Sequence, residues 1–331
     1  MSERVSHLVF DVETVGDGEL VSRVHFPEAD LAPADALKRY RAELKDKTGS
    51  DVLPVTFVRP CAVAVAKVGP DGTLLGVSSL DDPRFDPSAM VRQFWEGWKY
   101  YRRPTLVTFN GRGYDLPVME LNAYRDGLSL PDWFHDSGPS YQQPRNRYNS
   151  EAHLDLMDML SNYGAARLSG GLNLMANLLG KPGKTGPDGS KVQGLHDEGR
   201  DDEANRYCRC DVLDTYFVFL RTRVLTGRLT LEQEHARVAA AKVWLEEHAA
   251  EERPKEALDE LRREPPGLQG LGGRALWAFE GLVVAAAEHV SAQPQDLDLV
   301  AERGRACEEG GKDRTEIAGR VSDRLEPLAG P

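Results

Sequence analysis

The sequence predicts an α/β fold: a mixed β-sheet flanked by helices, continued by an α-helical C-terminal extension. Three observations lead there. Apolar strand patterns alternate with amphipathic helical ones over the first two-thirds of the chain. Pro70, Asp71 and Gly72 make a turn between two strand patterns, which puts a hairpin in the sheet. Beyond residue 229 the strand signals cease and only helical patterns follow.

Each element has its own reason. Residues 7–12 read as a buried strand, closed by Gly16 and Gly18. Residues 17–54 are a polar insertion, with a helix predicted over 33–47. Residues 57–67 and 73–80 supply the hairpin. Met90, Val91, Phe94, Trp95 and Trp98 share one helical face over 88–101, and both tryptophans are expected in the core. A second buried strand covers 105–109, and a helix runs from Asp115 through Tyr124 to a stop at Gly127. A loop fills 129–150, and a short strand over 152–156 leads into a helix. Helices are predicted over 172–179 and 201–224, separated by a Gly-rich loop over 181–191. The extension reads as a helix over 230–252, a Pro-Pro-Gly break at 265–267, an apolar helix near 274–290 and a charged tail. The domains expected are therefore 1–228 and 229–331, the latter ending in a flexible tail.

The 331 residues carry 41 Lys and Arg against 53 Asp and Glu, a net charge of −12. That excludes a general nucleic-acid coat protein, whose basic surface would show in the total. It leaves room for an enzyme that gathers carboxylates around cations. Residues 231–331 hold 13 basic and 21 acidic residues, so most of the deficit lies in the extension. Its acidity suggests a protein partner. No apolar run approaches the roughly 18 residues a membrane span needs, so no membrane role is expected. The N-terminus lacks the sections of a secretory signal, and four cysteines make no disulfide framework, which together suggest a cytoplasmic home.

The candidate chemistry lies in three short stretches. Asp11 and Glu13 are two apart on a predicted strand, so both point to one side. Adjacent carboxylates resist ionising unless a cation sits between them. Asn110, Tyr114 and Asp115 lie where a buried strand gives way to a helix, the edge at which open α/β sheets place ligands. Asp115 also stands where it would cap that helix, and the two roles are compatible. Tyr207 and Asp211 are four apart on a helix, hence on one face. Each stretch alone is common; their order and spacing are not. Other motifs fail: Gly183-Lys184-Thr185 has Leu178 where a P-loop needs Gly, Gly111 and Gly113 lack a third Gly, and Cys208 and Cys210 face different ways.

The set resembles the three exonuclease motifs of the DEDD superfamily, whose fold is ribonuclease H-like. Asp11 and Glu13 match the first motif, Asn110, Tyr114 and Asp115 the second, and Tyr207 and Asp211 the third in its tyrosine form, since the histidine form would need His where Arg206 stands. The likeness, over residues 5–225, is to stand-alone exonucleases related to the proofreading domain of family B DNA polymerases. Ser161 to Gly164, after Asp155 and Asp158, also looks like that family. The resemblance implies a 3′–5′ exonuclease with two Mg²⁺ or Mn²⁺ ions, acting on a free 3′ end. The sequence does not decide between DNA and RNA, and single-stranded DNA is the expected substrate. By it, Asp11 bridges both ions, Glu13 and Asp211 complete the first site, Asp115 holds the second, and Tyr207 orients a water. Asn110 and Tyr114 would touch substrate, and Lys184 would contact the scissile phosphate, with Lys181 as competitor. The rival expectation is a catalytically silent binding or scaffolding module on the same fold.

Overall fold

The computed structural model describes residues 4–179 and 191–249. The break at 265–267, the helix near 274–290 and the tail lie outside them. The elements are β1 (His7–Gly16), α1 (Gly18–His25), α2 (Pro33–Thr48), β2 (Val58–Val68), β3 (Leu74–Ser79), α3 (Pro87–Tyr100), β4 (Thr105–Thr108), α4 (Asp115–Arg125), β5 (His153–Asp155), α5 (Leu156–Leu160), α6 (Gly171–Leu178), α7 (Val192–Asp197), α8 (Asp201–Leu225) and α9 (Leu231–Ala249). The sheet order is β3-β2-β1-β4-β5. β1 and β3 run antiparallel to β2, and β4 runs parallel to β1 and β5. This is the mixed, helix-flanked sheet that the sequence predicts, with a ribonuclease H-like strand order.

Both faces of the sheet are buried, and strand alternation sorts the residues between them. Leu8, Phe10 and Val12 of β1, with Val63 and Val65 of β2, face a core built from α1 to α4 that holds Trp95, Trp98 and Trp133. The two predicted core tryptophans are there, 3% and 5% exposed. Val9 of β1 and Ala62, Ala64, Ala66 and Val68 of β2 face α8. Those alanines let α8 lie close to the sheet, and α8 is buried on most sides, including Cys208, Val212, Tyr216 and Leu220.

Two short helices escape the sequence reading. α1 begins in what was expected to be polar insertion, capped by Asp17, whose carboxylate accepts from the Leu20 amide at 3.0 Å. Gly18 is needed there for close approach: a Cβ would lie 2.4 Å from the Pro33 carbonyl oxygen. α7, of six residues, has no side-chain cap and contains Gly194, so propensity gives little sign of it.

α9 packs back on the body. Val238, Ala241 and Leu245 join the cluster of Leu74, Tyr216 and Leu220. Arg221 pairs with the buried Glu234 at 2.6 Å, and Arg237 with Asp71 at 2.6 Å. Three buried apolar side chains at about 1.5–3 kcal/mol each for a large one make α9 a substantial contributor. A chain ending at residue 228 should therefore melt about 5–15 °C below one ending at residue 249, as read by circular dichroism. Equal midpoints would show that α9 adds nothing to the body.

Candidate metal centre

The carboxylates converge where the odd face of β1 meets α8. Asp11 and Glu13 continue the row begun by Val9, so they point at α8, as the period-2 reading expects. Opposite them on β2 stand Ala64 and Ala62. Asp211 comes from α8 and is 5% exposed. One carboxylate oxygen from each of Asp11, Glu13 and Asp211 lies within 4.8 Å of the others. Among the described residues no His or Cys joins this set.

Local backbone features fix the position of both partners. The β1–β2 register shifts between Glu13 and Thr14, so Cys61 of β2 is the extra residue of a bulge next to the acids. Bulges re-aim side chains at such places. The Cys61 carbonyl accepts from the Asn205 side chain of α8 at 3.3 Å. One turn on, the Cys208 thiol donates to the Asp11 carbonyl at 3.3 Å. Burial, with the charges of Asp11, Glu13 and Asp211, pushes that thiol well above its usual range, so it stays a protonated donor.

Asp115 corrects the sequence reading in one respect. It is the first residue of α4, Tyr114 holds the cap position, and no side chain caps the helix. The Asp115 carboxylate instead accepts from the Val12 amide of β1 at 3.0 Å. The pairing of β4 with β1 ends at Val9, so the β1 edge beyond it needs other partners. Asp115 serves Val12, and Gln193 of α7 serves the Gly16 amide at 2.9 Å. Asp115 is 6% exposed. Burial, together with the Asp155 and Asp211 charges, raises its pKa from 3.8 to about 7.

Tyr114 is half-buried, and its hydroxyl meets the Thr14 hydroxyl at 2.5 Å. Burial first, then the charges of Glu13 and Asp115, hold its pKa above the usual phenol value. Asn110 is exposed and adopts φ 67°, in the left-handed region. Its loop is organised by Asp155, a residue whose importance the sequence reading did not see. Asp155 accepts from the amides of Asn110 and Arg112, at 3.0 and 2.9 Å, and from Met157 and Asp158 at the start of α5. Gly111 permits the turn, since a Cβ there would sit 2.5 Å from Thr108. Tyr207 lies one turn before Asp211 on the same helical face, 6% exposed, among Val15, Cys61, Val192 and Leu195. Lys184 and Lys181 lie outside the described residues.

The donor set fits a hard divalent cation. Three carboxylates within one ligand sphere, one of them buried, repel strongly without positive charge between them. Oxygen donors alone favour Mg²⁺ or Mn²⁺ over Zn²⁺.

A parallel-and-antiparallel sheet of this order, with acids on its central strand facing a long helix, defines a ribonuclease H-like domain. A family model described as predicted 3′–5′ exonucleases related to the exonuclease domain of PolB matches residues 50–261, and the chain belongs to that family. The matched stretch includes Asn110, Tyr114, Asp115, Tyr207 and Asp211; β1 with Asp11 and Glu13 precedes it. Comparison with curated proteins gives no match. Among solved structures, this chain is similar to the family B DNA polymerase from the hyperthermophilic archaeon Pyrobaculum calidifontis, with a TM-score of 0.42 and 15% identity. The likeness covers 66% of this chain and 24% of the polymerase chain, so this protein spans about a quarter of the polymerase's length.

Two predictions follow from the geometry. The folded pKa of Asp115 lies above its unfolded value, so its contribution to stability is full below about pH 3.8 and is lost as pH rises through about 7. In metal-free protein, Asp115→Asn should flatten the fall in melting temperature between pH 5 and 7.5; parallel profiles for the two proteins would refute this. Ala64→Leu, opposite Asp11, should push α8 off the sheet, costing about 1–3 kcal/mol in urea unfolding. It should also weaken Mn²⁺ binding measured by calorimetry.

Proposed function

We propose that this chain is a two-metal-ion 3′–5′ exonuclease releasing nucleoside 5′-monophosphates from the 3′ end of single-stranded DNA in the cytoplasm. The observation that carries the reading is the convergence of Asp11, Glu13 and Asp211 ligand atoms within 4.8 Å, from elements about 200 residues apart in the chain. Membership of a predicted 3′–5′ exonuclease family supports it.

Asp11, Glu13 and Asp211 would hold one Mg²⁺ or Mn²⁺, and Asp11 with Asp115 the second. When bound, the ions neutralise the acids and supply the Lewis acidity that phosphodiester hydrolysis draws on. Tyr207, one turn from Asp211, orients the attacking water beside Glu13. Water oxygen bonds to phosphorus, the bond to the 3′ oxygen breaks, and the proton released by the water balances the one taken up by that oxygen. The products are a 5′-monophosphate and a strand shortened by one nucleotide with a new 3′ hydroxyl. Asn110, exposed in its strained turn, and Tyr114, fixed by Thr14, line the approach for the terminal nucleotide. Lys184, or Lys181, is proposed to contact the phosphate, and the acidic region beyond 229 to meet a protein partner.

The test is release of 5′-mononucleotides from a 3′-labelled single strand. Wild type should be active with Mg²⁺ and inert with EDTA, and Asp211→Ala should lose activity by at least about 100-fold. Tyr207→Phe should lower kcat about 10- to 100-fold with little change in KM, the range for an outer partner at a metal site. Cutting of a circular strand would overturn the exonuclease reading. Wild type that binds single strands but releases nothing would establish a silent binding module instead.

A further inference from the structure

Away from the converging carboxylates, beside the starts of β1 and β4 and along β5, lies a cavity of about 250 Å³. Its far wall is the last turns of α8. Arg112, Arg147, Arg223, Arg228, His7 and His153 line it, with Glu151, Asp155 and Asp158 as its acids. Two of those acids are already engaged. Asp155 takes four backbone amides. Asp158 is gripped by the Arg147 fork at 2.7 and 3.1 Å and approached by Arg112 at 3.3 Å. Arg223 and Arg228 have no carboxylate partner among the described residues. Asp71, whose charge reaches Arg223, is itself held by Arg237 and Thr73.

Two residues of the lining also carry polar atoms that are sealed from solvent without a partner among the described residues. Arg223 reaches the Pro70 carbonyl at 3.3 Å and His7 Nε2 at 3.5 Å, but its Nε is buried with no partner among the described residues. His153, 1% exposed, meets the Thr108 hydroxyl through Nε2 at 2.8 Å, while its Nδ1 is buried without a described partner.

A helix C-terminus attracts cations, which is the ordinary explanation for basic residues at the end of α8. That effect amounts to roughly half a negative charge and suits exposed side chains. Two guanidiniums exceed it, and Arg223 is half-buried. Burial and the neighbouring Arg228 lower the Arg223 pKa, and burial with both arginines lowers His7 to about 4, which marks positive potential among the described residues here.

We propose that this cavity is a binding site for a phosphate-class anion, held by Arg223 and Arg228 as charge partners. The anion is either free phosphate or the phosphate of a mononucleotide. The site is separate from the metal centre and does not depend on the exonuclease reading.

The test is the melting temperature of the full chain in EDTA, with inorganic phosphate or dAMP against chloride at matched ionic strength. Wild type should gain about 2–4 °C at saturating phosphate or dAMP. A larger gain with dAMP identifies a nucleotide phosphate, and an equal gain free phosphate; both support the site. Asp211→Asn should keep the gain, which separates this cavity from the metal centre. Arg223→Gln with Arg228→Gln should abolish it while melting no lower than wild type in chloride, because like-charge repulsion is removed. Arg228 is exposed, so Arg228→Gln alone keeps the fold and should at least halve the gain. No gain in wild type, or an undiminished gain in the arginine variants, would overturn the proposal.

Discussion

The close seating of α8 on the odd face of β1 and β2 is the contact from which the rest of the site follows. Ala62, Ala64 and Ala66 clear the space, and Val9 and Val107 meet the apolar side of the helix. Asn205 and Cys208 then lock the helix to backbone, at the β2 bulge and at the Asp11 carbonyl. With both bonds made, a helix rises only about 1.5 Å per residue, so Asp211 is carried to a fixed height beside Asp11 and Glu13. Larger residues at the three alanines would widen the gap and scatter the ligand atoms. The packing of an apolar helix thus sets a polar geometry.

A second constraint comes from the edge of β1. β4 is short, so the end of β1 projects beyond its parallel neighbour. Its amides must find acceptors. Asp115 and Gln193 supply them, from α4 and α7. The same projection that exposes those amides opens room beside Asp11 and Glu13. Asp115 is therefore both a structural acceptor and a buried acid next to other acids, and its raised pKa records the tension between the two.

Much of this was legible in the sequence, for reasons of local geometry. Strand and helix periods put Asp11 with Glu13, and Tyr207 with Asp211, on common faces. The spacing of Trp95 and Trp98 placed them in the core. What was not legible depends on contacts between distant segments. Asp115 read as a helix cap because the residues after it form a helix; its true partner, the Val12 amide, is 103 residues away. Cys208 carries no signal of its bond to Asp11, and Asp155 none of the loop it gathers. α7 was hidden because its stability comes from Val192 and Leu195 packing beside Val15, Cys61 and Tyr207 rather than from its own propensity.

Asp155 connects the two charged regions of the molecule. Its carboxylate holds the amides of Asn110 and Arg112, which fixes the turn leading to Tyr114 and Asp115, and its charge adds to the pressure on Asp115. The same residue lines the arginine-rich cavity, where Arg112 reaches from that turn toward Asp158. One loop of a few residues therefore touches both the turn that carries Asp115 and the arginine-lined cavity. In a chain with a net charge of −12, an arginine-lined cavity apart from the converging acids leaves room for the proposed anion, which those acids would repel.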